Sequence, residues 1–306
     1  MDTRKPNLDT FKCDWEMNFA LSSTEKKLTM SKVWFITGAS RGIGAEIVKA
    51  ALAVGNRVVA TGRNADDIKT VFGQSENLLA LKLDVTKEQD AINAVKAVID
   101  TFGQIDIVVN NAGYALFGAV EELSDEEVKK QFNTNVFGLL NVTRAVLPVM
   151  RKQRSGHIFN ISSTSGLVGF AASSAYCATK FAVEGISESL KQEVQPLGIK
   201  VTIVEPGAFR SEFLSIGSSV SSQASINDYK GTAGVVRDYI KQLNNTQPGD
   251  PVKLAAALLT LANEAHPPLR FVAGTDAVAL MDTLYESRMN EFQQWRSLSA
   301  SLGYEE

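Results

Sequence analysis

Short runs of consecutive apolar residues alternate along most of the chain with longer stretches in which apolar residues recur every three or four positions. The runs at 33–37, 57–61, 78–83, 105–109, 157–162, 199–204 and 269–273 are rich in Val, Ile, Leu and Phe on adjacent positions, the pattern of a strand covered on both faces. Between them, 43–54, 87–102, about 131–152, 173–195 and 251–265 carry the helical period, and Ser124 with the Asp-Glu-Glu that follows it caps a further helix. Asp250 opens the helix at 251–265, and 276–298 reads as a C-terminal helix. Regular alternation of strand and helix requires a parallel sheet with right-handed crossovers. The predicted class is therefore α/β: one doubly wound parallel sheet of about seven strands with helices on both faces.

Two segments fall outside this rhythm. Residues 1–29 are polar and lack a clean period, so they read as a flexible extension ahead of a single domain at 30–306, with Met30 as an alternative start; Phe11, Trp15 and Phe19 leave open a short docking helix. Residues 208–249 are serine-rich, with weak periodicity until a short helix near 235–243. Inserted beyond the carboxyl end of a strand, this is where a substrate lid would sit, the alternative being a surface loop.

The first strand runs into Gly38, Ser40, Arg41, Gly42, Ile43 and Gly44 before a helix begins. Glycines there allow a sharp turn and close approach of a pyrophosphate, and the helix N-terminus offers free N–H groups and the positive end of its dipole. This makes the sheet Rossmann-like and a dinucleotide its expected ligand. A fold of this kind that prefers NAD would place a carboxylate at the end of the second strand; Thr61, Gly62 and Arg63 stand there instead. Arg63, helped by Arg41, can pair with a 2′-phosphate, so NADP(H) is expected over NAD(H), unless both arginines are simply solvated. Asp84 and Val85, after the third strand, are placed to meet an adenine ring by hydrogen bond and apolar contact. Asn110, Asn111, Ala112 and Gly113 form a turn at a strand's carboxyl end, where such sheets bind ligands, and its asparagines read as loop-holding.

Composition narrows the chemistry. The chain has 306 residues, 44% hydrophobic and 21% charged, with net charge −3 and a pI near 5.6, which gives no basic footprint for nucleic acid or an anionic membrane. No run reaches the roughly 18 apolar residues of a membrane span and no secretory signal opens the chain, so a cytoplasmic location is expected. Two cysteines, Cys13 and Cys177, and two histidines, His157 and His266, leave no thiolate metal site, and no metal is expected. Both histidines and Cys177 read as structural. The chemistry then rests on Tyr, Lys, Ser and Asn together with a cofactor.

Tyr176 and Lys180 lie four apart, on one face of the helix at 173–195. An ammonium about 4 Å from a phenolate, at an effective dielectric of about 20, stabilises it by roughly 4 kcal/mol, or about three pKa units. Tyr176 could then exchange protons near neutrality. Ser163, thirteen positions earlier, can converge with it on one substrate oxygen, with Ser162 an imperfect rival. Asn135, inside a predicted helix, carries a propensity penalty that hints at a buried polar role such as holding a water.

Thr37–Gly44 (TGASRGIG), Asn110–Gly113 (NNAG), Asn135, Ser163, Tyr176–Lys180 (YCATK), and Pro206 with Gly207 occur in this order. Together they resemble the short-chain dehydrogenase/reductase family over residues 32 to about 274. The resemblance implies an NADP-dependent oxidoreductase acting on a carbonyl or secondary alcohol. It makes Tyr176 the general acid/base, Lys180 its pKa partner and the holder of the nicotinamide ribose, Ser163 the residue that polarises the substrate oxygen, and Asn135 the holder of a relay water. Many members place a threonine after the Pro-Gly pair to bind the nicotinamide carboxamide; here the chain reads Ala208, Phe209, Arg210, Ser211, and Ser211 is the candidate for that part. The resemblance also implies a homodimer or homotetramer through the helices at 131–152 and 173–195. Two alternatives stay open: an NAD-linked dehydrogenase of sterol- or retinoid-like alcohols, with Leu116, Phe117, Leu167, Val168, Phe170, Phe209 and Phe213 lining a greasy pocket, and a non-catalytic NADP-binding redox sensor.

Overall fold

The computed structural model describes residues 31–214, 219–243 and 246–304; the expectation for 1–29 lies outside them. The described elements, in order, are β1 Val33–Ile36, α1 Gly42–Ala53, β2 Arg57–Gly62, α2 Ala65–Phe72, β3 Leu78–Lys82, α3 Glu88–Phe102, β4 Ile107–Asn110, β5 Ala115–Phe117 and α4 Asp125–Phe132. A π-helical segment, Asn133–Phe137, joins α4 to α5 Gly138–Gln153, followed by β6 Gly156–Ile161, α6 Ser174–Val194, β7 Ile199–Pro206, β8 Ser219–Ser221, α7 Val235–Leu243, α8 Pro251–Asn263, β9 Arg270–Ala273 and α9 Thr275–Ala300.

Seven strands form one sheet in the order β3-β2-β1-β4-β6-β7-β9, every pair parallel. The α/β doubly wound class expected from the alternation is what the chain adopts. Strand β1 shows why the runs read as continuously apolar. Trp34 and Ile36 face one core cluster with Ile47, Val48 and Ala51 of α1 and Leu254 and Leu258 of α8. Val33 and Phe35 face the other, with Ala91 and Val95 of α3, Val142 and Val146 of α5, and Leu190 of α6. Successive side chains point to opposite faces, and each face is covered by helices. Trp34, Phe35 and Phe159 are fully buried, each worth about 1.5–3 kcal/mol of transfer free energy. From β1 the chain moves outward through β2 and β3, then returns to β4 and proceeds the other way. The reversal between β1 and β4 is the switch point at which such sheets leave a crevice at the strands' carboxyl ends.

The structure adds elements that the pattern did not reveal. Helix α2 buries only Ile68 and is started by Asn64, whose side chain accepts from the Asp66 N–H; so short an apolar face carries little periodic signal. β5 and β8 pair in parallel as a separate two-stranded sheet, Leu116 opposite Val220, which ties the 208–249 segment back beside β5. The helix expected from about residue 131 is continuous with the one capped by Ser124 through the π segment, a one-residue widening of the kind often found at functional sites. Among the described residues, no helix is long and apolar enough to cross a membrane.

Candidate active site

The glycine turn lies at the switch point. Gly38 has φ +62 and Gly42 φ +57, left-handed values that favour glycine. Gly44 has no such need of φ, yet a Cβ there would stand 2.4 Å from the Gly38 carbonyl oxygen and 2.6 Å from Asn111 Nδ2. Gly38 and Gly42 are thus required for their conformation and Gly44 for the space it leaves. The turn is laced to the strand beside it. Asn111 Nδ2 donates to the carbonyls of Thr37 and Gly38, both at 3.0 Å, and the Thr37 hydroxyl accepts from the N–H groups of Asn111 and Ala112, also at 3.0 Å. The asparagine does hold the loop. Thr37, inside the recognised motif, shares that task and was not singled out from sequence.

A cavity of about 660 Å³ opens over this turn and brings together Gly38, Ser40, Arg41, Gly42, Ile43, Arg63, Asp84, Val85, Asn111, Ala112, Gly113 and Ser211. Of the residues expected around a dinucleotide, these twelve line it, whereas Gly44, Tyr176, Lys180, Pro206 and Gly207 do not. Asp84 Oδ1 accepts from the N–H and the hydroxyl of Thr86, at 3.1 and 2.7 Å. Val85 is buried against Gly138, where a Cβ would come within 2.6 Å of its Cγ2. Arg63 is exposed at the rim, in company with Asn64 and Asp67. The turn after β7 has a clamp that sequence reasoning missed: Ala208 N–H donates to Asp276 Oδ2 at 2.7 Å, and any side chain on Gly207 would strike that carboxylate at 2.3 Å. Asp276, at the start of α9, is far away in sequence and carries no local signal.

Tyr176, Lys180 and Asn135 are all buried. Lys180 Nζ donates to the Ile161 carbonyl at 2.7 Å, which ties α6 to the end of β6, and lies 5.6 Å from the centre of the Tyr176 ring. Ser163 follows β6 in extended backbone, and its Oγ accepts from the Ser165 N–H at 3.1 Å. Asn135, in the π segment, bridges the β4–β5 connection to α6: its Nδ2 donates to the Tyr114 carbonyl at 2.9 Å and to Thr179 Oγ1 at 3.1 Å, and its Oδ1 accepts from the Tyr114 N–H at 3.1 Å. Thr179 in turn donates to the Tyr176 carbonyl at 2.8 Å.

The electrostatics differ from the simple charge-pair expectation. Burial pushes the Tyr176 phenol above its ordinary value, and a hydrogen bond with the Ser163 hydroxyl opposes that shift. Burial also brings Lys180 down to about 8, while Glu184, one turn further on, acts in the opposite sense. Desolvation is the leading influence on both groups, and the Lys180 ammonium is directed to the Ile161 carbonyl. The covering groups are identifiable. Tyr176 packs with Ala115, Phe117, Phe213 and Ile240, and its ring lies 5.9 Å from that of Phe213, which also borders the cavity.

The greasy-pocket residues do not stay together. Phe117 and Phe213 are at Tyr176, but Phe209 packs into the main core with Leu254 and Leu258, because Gly249 and Gly274 leave room for its ring. His157 is structural, as expected: it is buried, with Nε2 2.9 Å from Thr202 Oγ1 and its ring 4.0 Å from that of Phe159. Cys177 is buried beside Tyr176.

The short chain dehydrogenase family model matches residues 32–218. An oxidoreductase of Botryotinia fuckeliana, BOA17, is 39% identical over 273 residues, 88% of this chain and 98% of that protein. A short-chain dehydrogenase structure from Streptomyces avermitilis superposes with a TM-score of 0.82 at 38% identity, covering 89% of this chain and all of the other. The structure of ElxO with NADP bound gives a TM-score of 0.64 at 30% identity over 78% of this chain and 93% of that one. With the glycine turn, the buried tyrosine and lysine and the seven-stranded sheet all in their places, this protein belongs to the short-chain dehydrogenase family of oxidoreductases.

Proposed function

We propose that the chain transfers hydride between NADP(H) and a carbonyl or secondary-alcohol substrate, with Tyr176 as general acid/base. The observation that carries this reading is the buried Tyr176 with Lys180 Nζ 5.6 Å from its ring centre, packed against Phe213, which borders the cavity over the glycine turn. With Ser163 at the end of β6, two hydroxyls are available to donate to a carbonyl oxygen as its charge grows.

The residues present fit a dinucleotide. The turn at Gly38 and Gly44 has no space for a Cβ, which leaves backbone N–H groups at the α1 N-terminus for a pyrophosphate. Ser40, Gly42 and Ile43 would line that site, Arg41 and Arg63 would pair with the 2′-phosphate, and Asp84 and Val85 would bracket the adenine. Asn111, Ala112 and Gly113, with Pro206, Gly207 and Ser211, would flank the nicotinamide end. When bound, NADP(H) supplies the hydride donor or acceptor.

The chain's own groups handle the oxygen and its proton. Ser163 holds the substrate oxygen; Tyr176 gives it a proton in reduction and takes one in oxidation. Lys180 binds the ribose and carries positive charge towards the phenol, and Asn135 positions a water for proton exchange. Residues 208–249 act as the lid of the single domain at 30–306, with Phe213 and Ile240 excluding water from Tyr176.

The test follows NADPH and NADH oxidation by absorbance for wild type and Tyr176→Phe against aldehydes, ketones, quinones and steroids. Loss of the acid/base should lower turnover about 10²–10⁴-fold while NADPH binding survives. Undiminished turnover in the variant would overturn the assignment. Tight NADPH binding with no turnover in either protein would favour the redox-sensor reading.

A further inference from the structure

Helix α9 has 26 residues and is about 39 Å long at 1.5 Å per residue. One of its faces is held to the body of the protein. Ala277 is buried, Leu280, Met281 and Leu284 are half-buried, and Arg288 donates to the Leu167 carbonyl. Beyond Arg288 this anchoring stops: every residue from 291 to 300 is exposed.

A second apolar face runs along the same helix and is covered by none of the described chain. Val278, Tyr285, Met289 and Phe292 are between 50% and 59% exposed. With Asp282 and Arg296, both exposed, they succeed one another at alternating steps of four and three residues, the spacing of the seam between two packed helices. Trp295, 60% exposed, flanks the seam. At half exposure the three aromatic rings, with Val278 and Met289, offer about 450 Å² of apolar surface, the size of patch that on a monomer is often functional. Two such faces with their flanking charges cover about 1,200 Å², the low end of a specific interface.

Charge indicates what fits this face. The helix carries Asp276, Asp282, Glu286 and Glu291 against Arg288 and Arg296, and no lysine, whereas a helix that lies on an anionic membrane has the opposite balance. Asp282 stands near one end of the seam and Arg296 at the other, so the face complements itself when two copies run antiparallel. With the two-fold axis between positions 290 and 291, Met289 meets Phe292 of the second copy, a sulfur–aromatic contact. Tyr285 meets Arg296 of the second copy, a cation–π contact, and Asp282 is within one turn of that same arginine. Symmetry makes each contact twice. A parallel pair in register would instead set like charges against each other at both ends.

We propose that α9 is an interaction surface for a second copy of this chain, the two helices packing antiparallel along the seam from Val278 to Arg296. This surface is separate from α5 and α6, the helices through which the family resemblance implies association, and it involves neither cofactor nor substrate.

Sedimentation of the full chain over a range of micromolar concentrations tests it. Phe292→Glu puts a charge at the centre of the seam and replaces an exposed side chain, so it should halve the mass of the wild-type species, with or without a further pairing through α5 and α6. Arg296→Asp should raise the dissociation constant about tenfold, and adding Asp282→Arg to the same chain should restore it, a rescue that damage to the fold of one copy would not show. Equal masses for wild type and Phe292→Glu overturn the proposal, as does a double variant no tighter than Arg296→Asp. Equal masses together with wild-type binding to phosphatidylcholine vesicles that Phe292→Glu loses would give the face to a lipid surface instead.

Discussion

On the proposed reading, cofactor choice turns on Arg63. It directly follows β2, where a carboxylate would select a free ribose hydroxyl, and it stands at the rim of the cavity with Arg41. A charge-assisted hydrogen bond is worth about 1.5–3 kcal/mol, which converts to roughly 10–100-fold in Kd. Arg63→Asp should weaken NADPH by that factor and leave NADH unchanged or tighter, read by fluorescence titration of each nucleotide. Equal weakening of both would remove the basis for NADP over NAD. Tyr176 carries a different lesson at this scale. Its phenol is moved up because Phe117, Phe213 and Ile240 exclude water from it, and neighbouring residues four positions apart could not have disclosed that.

Among the elements, the join of β1 to α1 is tightly specified. Gly44 has ordinary helical backbone, so Gly44→Ala gains in intrinsic helix propensity. The added methyl nevertheless meets the Gly38 carbonyl and Asn111 Nδ2, both well inside contact distance. Overpacking of this kind costs about 1–3 kcal/mol. We expect a lower Tm together with at least a tenfold loss of NADPH affinity, because the helix must withdraw from the turn that would hold the pyrophosphate. An unchanged Tm with unchanged affinity would mean that α1 can shift without opening the cradle. The π segment between α4 and α5 belongs to the same scale. It sits at Asn135, whose three hydrogen bonds join the β4–β5 connection to α6.

For the whole molecule, two buried groups give stability opposite dependences on pH. His157 is lowered from 6.5 to about 3, first by burial and then by Lys200 and Lys32. The unfolded chain binds the proton more readily, so this contribution is present above pH 6.5 and is lost as pH falls towards 3. Glu205 is raised from 4.5 to about 7, chiefly by burial and then by Glu184. The folded chain binds that proton more readily, so its contribution is present below pH 4.5 and is lost as pH rises towards 7. Urea unfolding of wild type and His157→Gln at pH 5 and 7 isolates the first effect. The stability advantage of wild type should shrink on acidification by about 1 kcal/mol per pH unit. An advantage independent of pH would show that His157 is not held neutral by its site.

Strand and helix order, the glycine turn, the capped helix at Ser124 and the candidate tetrad were all legible along the chain. Each is encoded within a few residues, as hydrophobic period, turn chemistry or helical spacing, and none needs a distant partner to be recognised. The seven-strand sheet follows from that alternation because crossover handedness leaves few alternatives. What only the tertiary structure decided depends on distance between remote segments and on exclusion of water. Asp276 clamps the turn at Gly207, Phe209 turns into the core rather than the pocket, β8 returns to β5, and Arg270 gathers Glu184, Glu188 and Glu205 around itself. The direction of the Tyr176 shift is of the same kind. Spacing put a lysine beside the tyrosine, but desolvation is set by every side chain that covers the ring, and those come from elements more than thirty positions away in the chain.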